Sequence, residues 1–128
     1  MGLDIYFLAD DKENTQNDVF DVNTKVEVGY FRKVNFLFYW IKNNVKSIEN
    51  REPILIPQDV LKKLSSDLDK LIPANCQELF PTCNGFFFGS TEYDEYYWLD
   101  VESVRAWVKG ILNDFDFDNQ NLYFWAWW

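Results

Sequence analysis

Apolar positions repeat every second residue near both chain ends and every three to four residues in between. In residues 2 to 8, GLDIYFL, Leu3, Ile5 and Phe7 fall on one face and Asp4 and Tyr6 on the other, the period of a half-buried strand. The stretch from 9 to 25, ADDKENTQNDVFDVNTK, is polar, rich in Asn and Asp and without helical period, which predicts a flexible loop. From Lys33 onward, Val34, Leu37, Phe38, Ile41, Val45 and Ile48 keep the i, i+3, i+4, i+7 spacing of an amphipathic helix. Phe36, Tyr39 and Trp40 then fall on its opposite side, where a small protein normally places charge. Either another element covers them or a partner does.

Pro53 and Pro57 bracket an extended connector, and a second helix is expected over Gln58 to Ile72, with Val60, Leu61, Leu64, Leu68, Leu71 and Ile72 inward and Pro73 ending it. Gly85 to Gly89 reads as an extended segment with Phe86 and Phe88 pointing one way and Phe87 the other. Ser90 or Thr91 is expected to cap the helix that follows, Thr91 having Asp94 three residues on. That helix buries Tyr97, Val101, Val104, Val108, Ile111 and Leu112, with Trp98 and Trp107 at its margins. Residues 113 to 120, NDFDFDNQ, form an acidic turn, and NLYFWAWW closes the chain as an aromatic strand beside the first one. These elements predict a single α+β domain spanning 1 to 128, with about three helices packed on a small antiparallel sheet that includes both terminal strands.

Composition adds two constraints. Aromatic residues make up 20% of the chain, with six tryptophans, enough to fill a core and still leave rings for a partner. The formal net charge is -9, which repels nucleic acid and favours a basic protein partner. The charge is uneven: residues 1 to 31 carry seven acids and two bases, 32 to 63 carry three acids and seven bases, and 77 to 128 carry nine acids and two bases. Cys76 and Cys83 are expected to be free thiols. The longest apolar run, FLFYWI at 36 to 41, is too short to span a bilayer, so no membrane partner and a cytoplasmic location are expected.

The chain has no histidine, which excludes Ser-His-Asp and Cys-His catalysis and histidine-based zinc sites. Asp4, Asp94, Glu95 and Asp100 could converge for carboxylate or magnesium chemistry, but capping and solvation are the simpler roles. No catalytic residue, metal ligand or cofactor is assigned. Gly85, Gly89 and the Ser90-Thr91 pair could present amides to an anion, yet the acids at 92, 94 and 95 oppose one. Arg32 and Lys33 open the first helix at its positive end, at a cost of about 0.3–1 kcal/mol. An ion pair from Arg32 to Asp94 or Glu95 is the expected compensation.

MGLDIY at the start, GYFRKVNFLFYW at 29 to 40, GFFFGSTEYDEYY at 85 to 97 and the aromatic end at Trp128 resemble a family of small phage and prophage proteins. Those proteins begin MGLDMY, carry YWRKAN-like and GFFFGSTDYDEYY-like motifs and close on an aromatic strand. Matching positions include Tyr30, Arg32, Lys33, Asn35, Trp40, Gly89, Ser90, Thr91, Tyr93, Asp94, Glu95 and Tyr96. The resemblance implies a mobile-element origin. This chain departs from the family at Phe38, where members often carry His, and at its WAWW ending, where members carry a polar QSSW-like sequence.

The function expected is binding rather than catalysis: an acidic phage-type protein that inhibits a host defence component by protein contact, in particular an RNA-guided CRISPR effector with basic channels. Phe36, Tyr39, Trp40, Asp114, Asp116, Asp118, Trp125 and Trp127 are the expected contact residues, acting in the cytoplasm of the infected bacterial cell without direct nucleic-acid contact. The alternative is a small-molecule module or enzyme for a nucleotide-like or sugar-like ligand, held by Arg32, Asn35, Asp94 and Glu95 within the cluster that also holds Lys33, Ser90, Thr91 and Tyr93.

Overall fold

The computed structural model describes residues 2–12, 20–84 and 88–128. Its strands are β1 (Asp4–Asp11), β2 (Val26–Arg32), β3 (Ile54–Leu55) and β4 (Gln120–Trp127); its helices are α1 (Asn35–Asn44), α2 (Gln58–Asp69), the short α3 (Cys76–Leu79) and α4 (Glu95–Asp114). The fold is α+β, as the sequence pattern predicts. The sheet runs in the order β2-β1-β4-β3, with every adjacent pair antiparallel.

The two terminal strands form the middle of the sheet, in register from Asp4 opposite Trp127 to Asp11 opposite Gln120. Alternation then sorts their side chains. Leu3, Ile5, Phe7, Leu122, Phe124 and Ala126 turn inward into the hydrophobic core shared with the helices. Asp4, Tyr6 and Leu8 turn outward with Tyr123, Trp125 and Trp127.

β2 directly follows the stretch read as loop, in residues that the spacing assigns to no element. It pairs with β1 from Asp4–Arg32 to Ala9–Val26, with a bulge between Phe7 and Leu8, and the bulge blurs its alternation. Gly29 is required here, because an added Cβ would meet the Trp107 indole at 2.6 Å. Through that gap Trp107 Nε1 donates to the Val28 carbonyl at 2.7 Å and ties α4 to the sheet edge. Of the polar stretch before β2, residues 13 to 19 lie outside the described residues, and Val22–Thr24 forms one 3-10 turn.

The helices keep their predicted inward stripes with shifted ends. α1 begins at Asn35 rather than Lys33, and α2 ends at Asp69, leaving Ile72 exposed. α4 is capped by Asp94, not by Ser90 or Thr91: its carboxylate accepts from Tyr96 N at 3.1 Å and Tyr97 N at 3.2 Å. The expected orientation of Phe86 and Phe87 lies outside the described residues, while Phe88 is buried against Phe38 and Trp128. Cys76 and Cys83 are free thiols. Among the described residues no helix is long and apolar enough to cross a membrane.

Candidate functional site

The expected contact residues divide. Phe36 and Trp40 are buried, so their assignment to an exposed surface is corrected. Phe36 packs against Phe80 and Tyr97, with ring centroids 5.9 and 5.1 Å away. Trp40 stacks on Phe80, and its indole N–H donates to Asp67 of α2 at 3.0 Å. Helix α1 is thus enclosed on both sides, and of its three off-stripe aromatics only Tyr39 remains half-exposed. Trp125 is also largely buried, at 8% exposure, whereas Trp127 is open at 44%.

Trp125 and Trp127 nevertheless stand on one face. With Tyr6 and Tyr30 they form an aromatic band across β2, β1 and β4 on the side of the sheet away from the helices. Tyr6 lies 4.9 Å from Tyr30 and 5.6 Å from Trp125, and Trp125 lies 6.4 Å from Trp127. Phe20 against Tyr123 and the Lys25–Asp10 ion pair at 2.6 Å cover the far end of this face. Tyr30, 43% exposed, and Trp127 mark the open end, where the Arg51 guanidinium lies 4.7 Å from the Trp127 ring.

Asp114, Asp116 and Asp118 are exposed at the opposite end of β4 from Trp127, so they do not share a patch with it. Asp116 is also a turn anchor. Its carboxylate accepts from the backbone of Asp118 and Asn119 and from the Asn119 side chain, and these bonds, the Asn119 side chain foremost, hold its pKa low.

Part of the motif cluster, Arg32, Lys33, Asn35, Ser90 and Asp94, lines one cavity. Arg32 ends β2 instead of opening a helix, and its carboxylate partner among the described residues is its cross-strand neighbour Asp4, at 3.1 Å. The Tyr30 hydroxyl donates to the same Asp4 oxygen at 2.7 Å, and that bond, with burial, raises the Tyr30 pKa. Asn35 acts as a buried clamp. Its amide nitrogen donates to the Phe88 and Ser90 carbonyls at 3.1 and 2.9 Å, and its oxygen accepts from Cys83 N at 3.1 Å. The Tyr93 hydroxyl accepts from Thr82 N at 3.0 Å, and the Thr91 carbonyl accepts from the Thr82 hydroxyl. Tyr97 donates to the Phe80 carbonyl at 2.8 Å, and burial holds its phenol well above the ordinary value.

Beside this clamp lies a cavity of about 180 Å³. Arg32, Lys33, Asn35, Ser90 and Asp94 contribute to its lining, together with Asp100; Thr91, Tyr93 and Glu95 do not. The nucleotide- or sugar-like alternative therefore finds Asn35 fully engaged, Asp94 committed to its helix and Glu95 elsewhere. No group of three metal-ligating side chains occurs among the described residues. The sequence places Asp100 among the candidate carboxylates, but nothing in its local pattern marks it as sharing a cavity with Lys33.

No family model, curated protein or solved structure matches the chain.

Proposed function

We propose that the chain is a small acidic binding protein of phage type that inhibits a host defence component by protein contact, in particular an RNA-guided CRISPR effector. The observation that carries this reading is the aromatic band on the sheet face away from the helices. Rings with an apolar body and a polar edge are the usual anchors of protein interfaces, and Tyr30 and Trp127 expose theirs at the open end. The partner's sign follows from the net charge of -9, which attracts the cationic channels of a nucleic-acid-guided nuclease. On this reading the protein acts in the cytoplasm of the infected bacterial cell. The acidic turn steers the encounter, and the aromatic end holds the complex.

The test is a titration of the purified protein against the host's guided nuclease, reading cleavage and association kinetics. Trp127→Ala and Tyr30→Ala should each speed dissociation roughly ten-fold or more with an unchanged circular dichroism spectrum. Charge reversal at Asp114 or Asp118 should slow association chiefly at low salt. Full inhibition by both aromatic variants, or no inhibition of any effector of the host by the wild type, rejects the reading.

A further inference from the structure

Among the charged side chains that line the cavity beside the Asn35 clamp, Lys33 and Asp100 are of opposite sign, and neither makes a side-chain hydrogen bond or ion pair among the described residues. Lys33 turns the chain from β2 into α1 with a φ of 59°, a left-handed conformation that a non-glycine residue adopts only when its surroundings enforce it. The enforcement is visible: Lys33 N donates to the Leu3 carbonyl at 2.7 Å. The Lys33 stem lies against Gly89, where an added Cβ would come within 2.9 Å of Lys33 Cβ. The stem is fixed at the cavity lip, yet the ammonium it carries makes no hydrogen bond or ion pair among the described residues.

Asp100, on α4, is half-buried in the same lining and likewise has no hydrogen bond or ion pair among the described residues. A carboxylate withdrawn from water ordinarily gains a donor or a cation. Lys33 faces the same space but does not pair with it. Between the two charges the lining is partly aromatic, from Phe36 and Tyr97. The space of about 180 Å³ is smaller than the roughly 300–1,000 Å³ of sites for drug-sized ligands. A phosphate-bearing ligand would meet Glu92, Asp94 and Asp100 together, and a bare cation would make no use of the exposed Lys33 ammonium at the lip.

We infer that this cavity binds a small aliphatic amino acid with its charges at opposite ends, the acid group on the Lys33 ammonium, the ammonium on the Asp100 carboxylate and the methylenes against Phe36 and Tyr97. The site is independent of the sheet face, so it stands or falls separately from any protein partner.

The experiment is calorimetric titration of the intact protein, at constant ionic strength, with a series of ω-amino acids from glycine to 6-aminohexanoate; acetate and methylammonium serve as half-ligands. One chain length should bind saturably and best, with the half-ligands showing no saturation over the same range. Lys33→Gln and Asp100→Asn, which keep side-chain size, should each weaken that ligand by roughly ten-fold or more. The inference is overturned if no member of the series saturates, if acetate or methylammonium binds as well as the best member, or if neither variant changes the affinity.

Discussion

Two stretches of this chain are dense in aromatic rings and sort them by different rules. Between Phe80 and Trp98, Phe80, Phe88 and Tyr97 are buried while Tyr96 stands 67% exposed, and the polar groups around the buried rings close on one another through Asn35, Thr82 and Asp94. In the closing strand, alternation divides the rings. Phe124 goes into the core while Tyr123, Trp125 and Trp127 go to the outer face. A helix entry can recruit its neighbours' hydrogen bonds, whereas a central strand must show one side chain in two to each side of the sheet. Aromatic density alone therefore says little about binding; the element that carries it decides.

The strongest way to break this comparison is to remove residues 122–128. β4 lies between β1 and β3, and its loss removes Leu122, Phe124 and Ala126, all at or below 1% exposure, and uncovers their fully buried neighbours Ile5 and Phe7 on β1. The truncated chain should lose cooperative thermal unfolding altogether, read by circular dichroism. A melting temperature equal to that of the full chain would make the strand an accessory arm.

Next in size is the clamp. Asn35→Ala leaves the Phe88 and Ser90 carbonyls and the Cys83 amide without their side-chain partner, and a buried polar group stranded in this way costs about 1–3 kcal/mol. Urea unfolding should show a lower midpoint with an unchanged slope. A loss below about 0.5 kcal/mol would mean that the segment holds its shape without Asn35.

On the outer face the same kind of truncation should matter far less to the fold. Trp127→Ala removes a 44% exposed ring and its contact with Arg51, worth about 0.5–1 kcal/mol. The comparison sharpens if this variant stays close to the wild type in urea while Asn35→Ala does not. It collapses if the two lose equal stability.

Much of this architecture is legible in the sequence because it depends on period. The terminal strands and the inward stripes of α1, α2 and α4 follow from spacing alone. β2 was hidden because its bulge and Gly29 interrupt the alternation, and the Trp107 contact that requires Gly29 is supplied from α4. Phe36 and Trp40 were misplaced for a related reason: a helical stripe reveals the face toward one neighbour, and α1 has neighbours on both sides. The Arg32 partner depended on register, since Asp4 becomes its neighbour only once β1 and β2 pair. Likewise, Lys33 reaches the cavity that Asp100 also lines through a left-handed turn held by the Leu3 carbonyl and given room by Gly89.

The smallest expected effect concerns Asp100, the half-buried carboxylate of the cavity, which neither caps a helix nor pairs with a base among the described residues. Burial, and secondarily Asp94, raise the pKa of Asp100 above its ordinary value of 3.8. The folded state therefore holds this proton more tightly than the unfolded chain, and stability falls as pH rises through the window between the ordinary and the raised value. Above that window the ionised carboxylate remains a constant burden; below it both states are protonated and the burden vanishes. Asp100→Asn should thus stabilise the protein near neutral pH, by up to about 0.5 kcal/mol, and the gain should disappear near about pH 3, below the unfolded value. Urea midpoints of the variant and the wild type at the two pH values read the difference directly. A variant less stable than the wild type at neutral pH would show that the carboxylate has a favourable partner in the folded chain, and the contrast between the satisfied clamp and the unsatisfied cavity beside it would be lost.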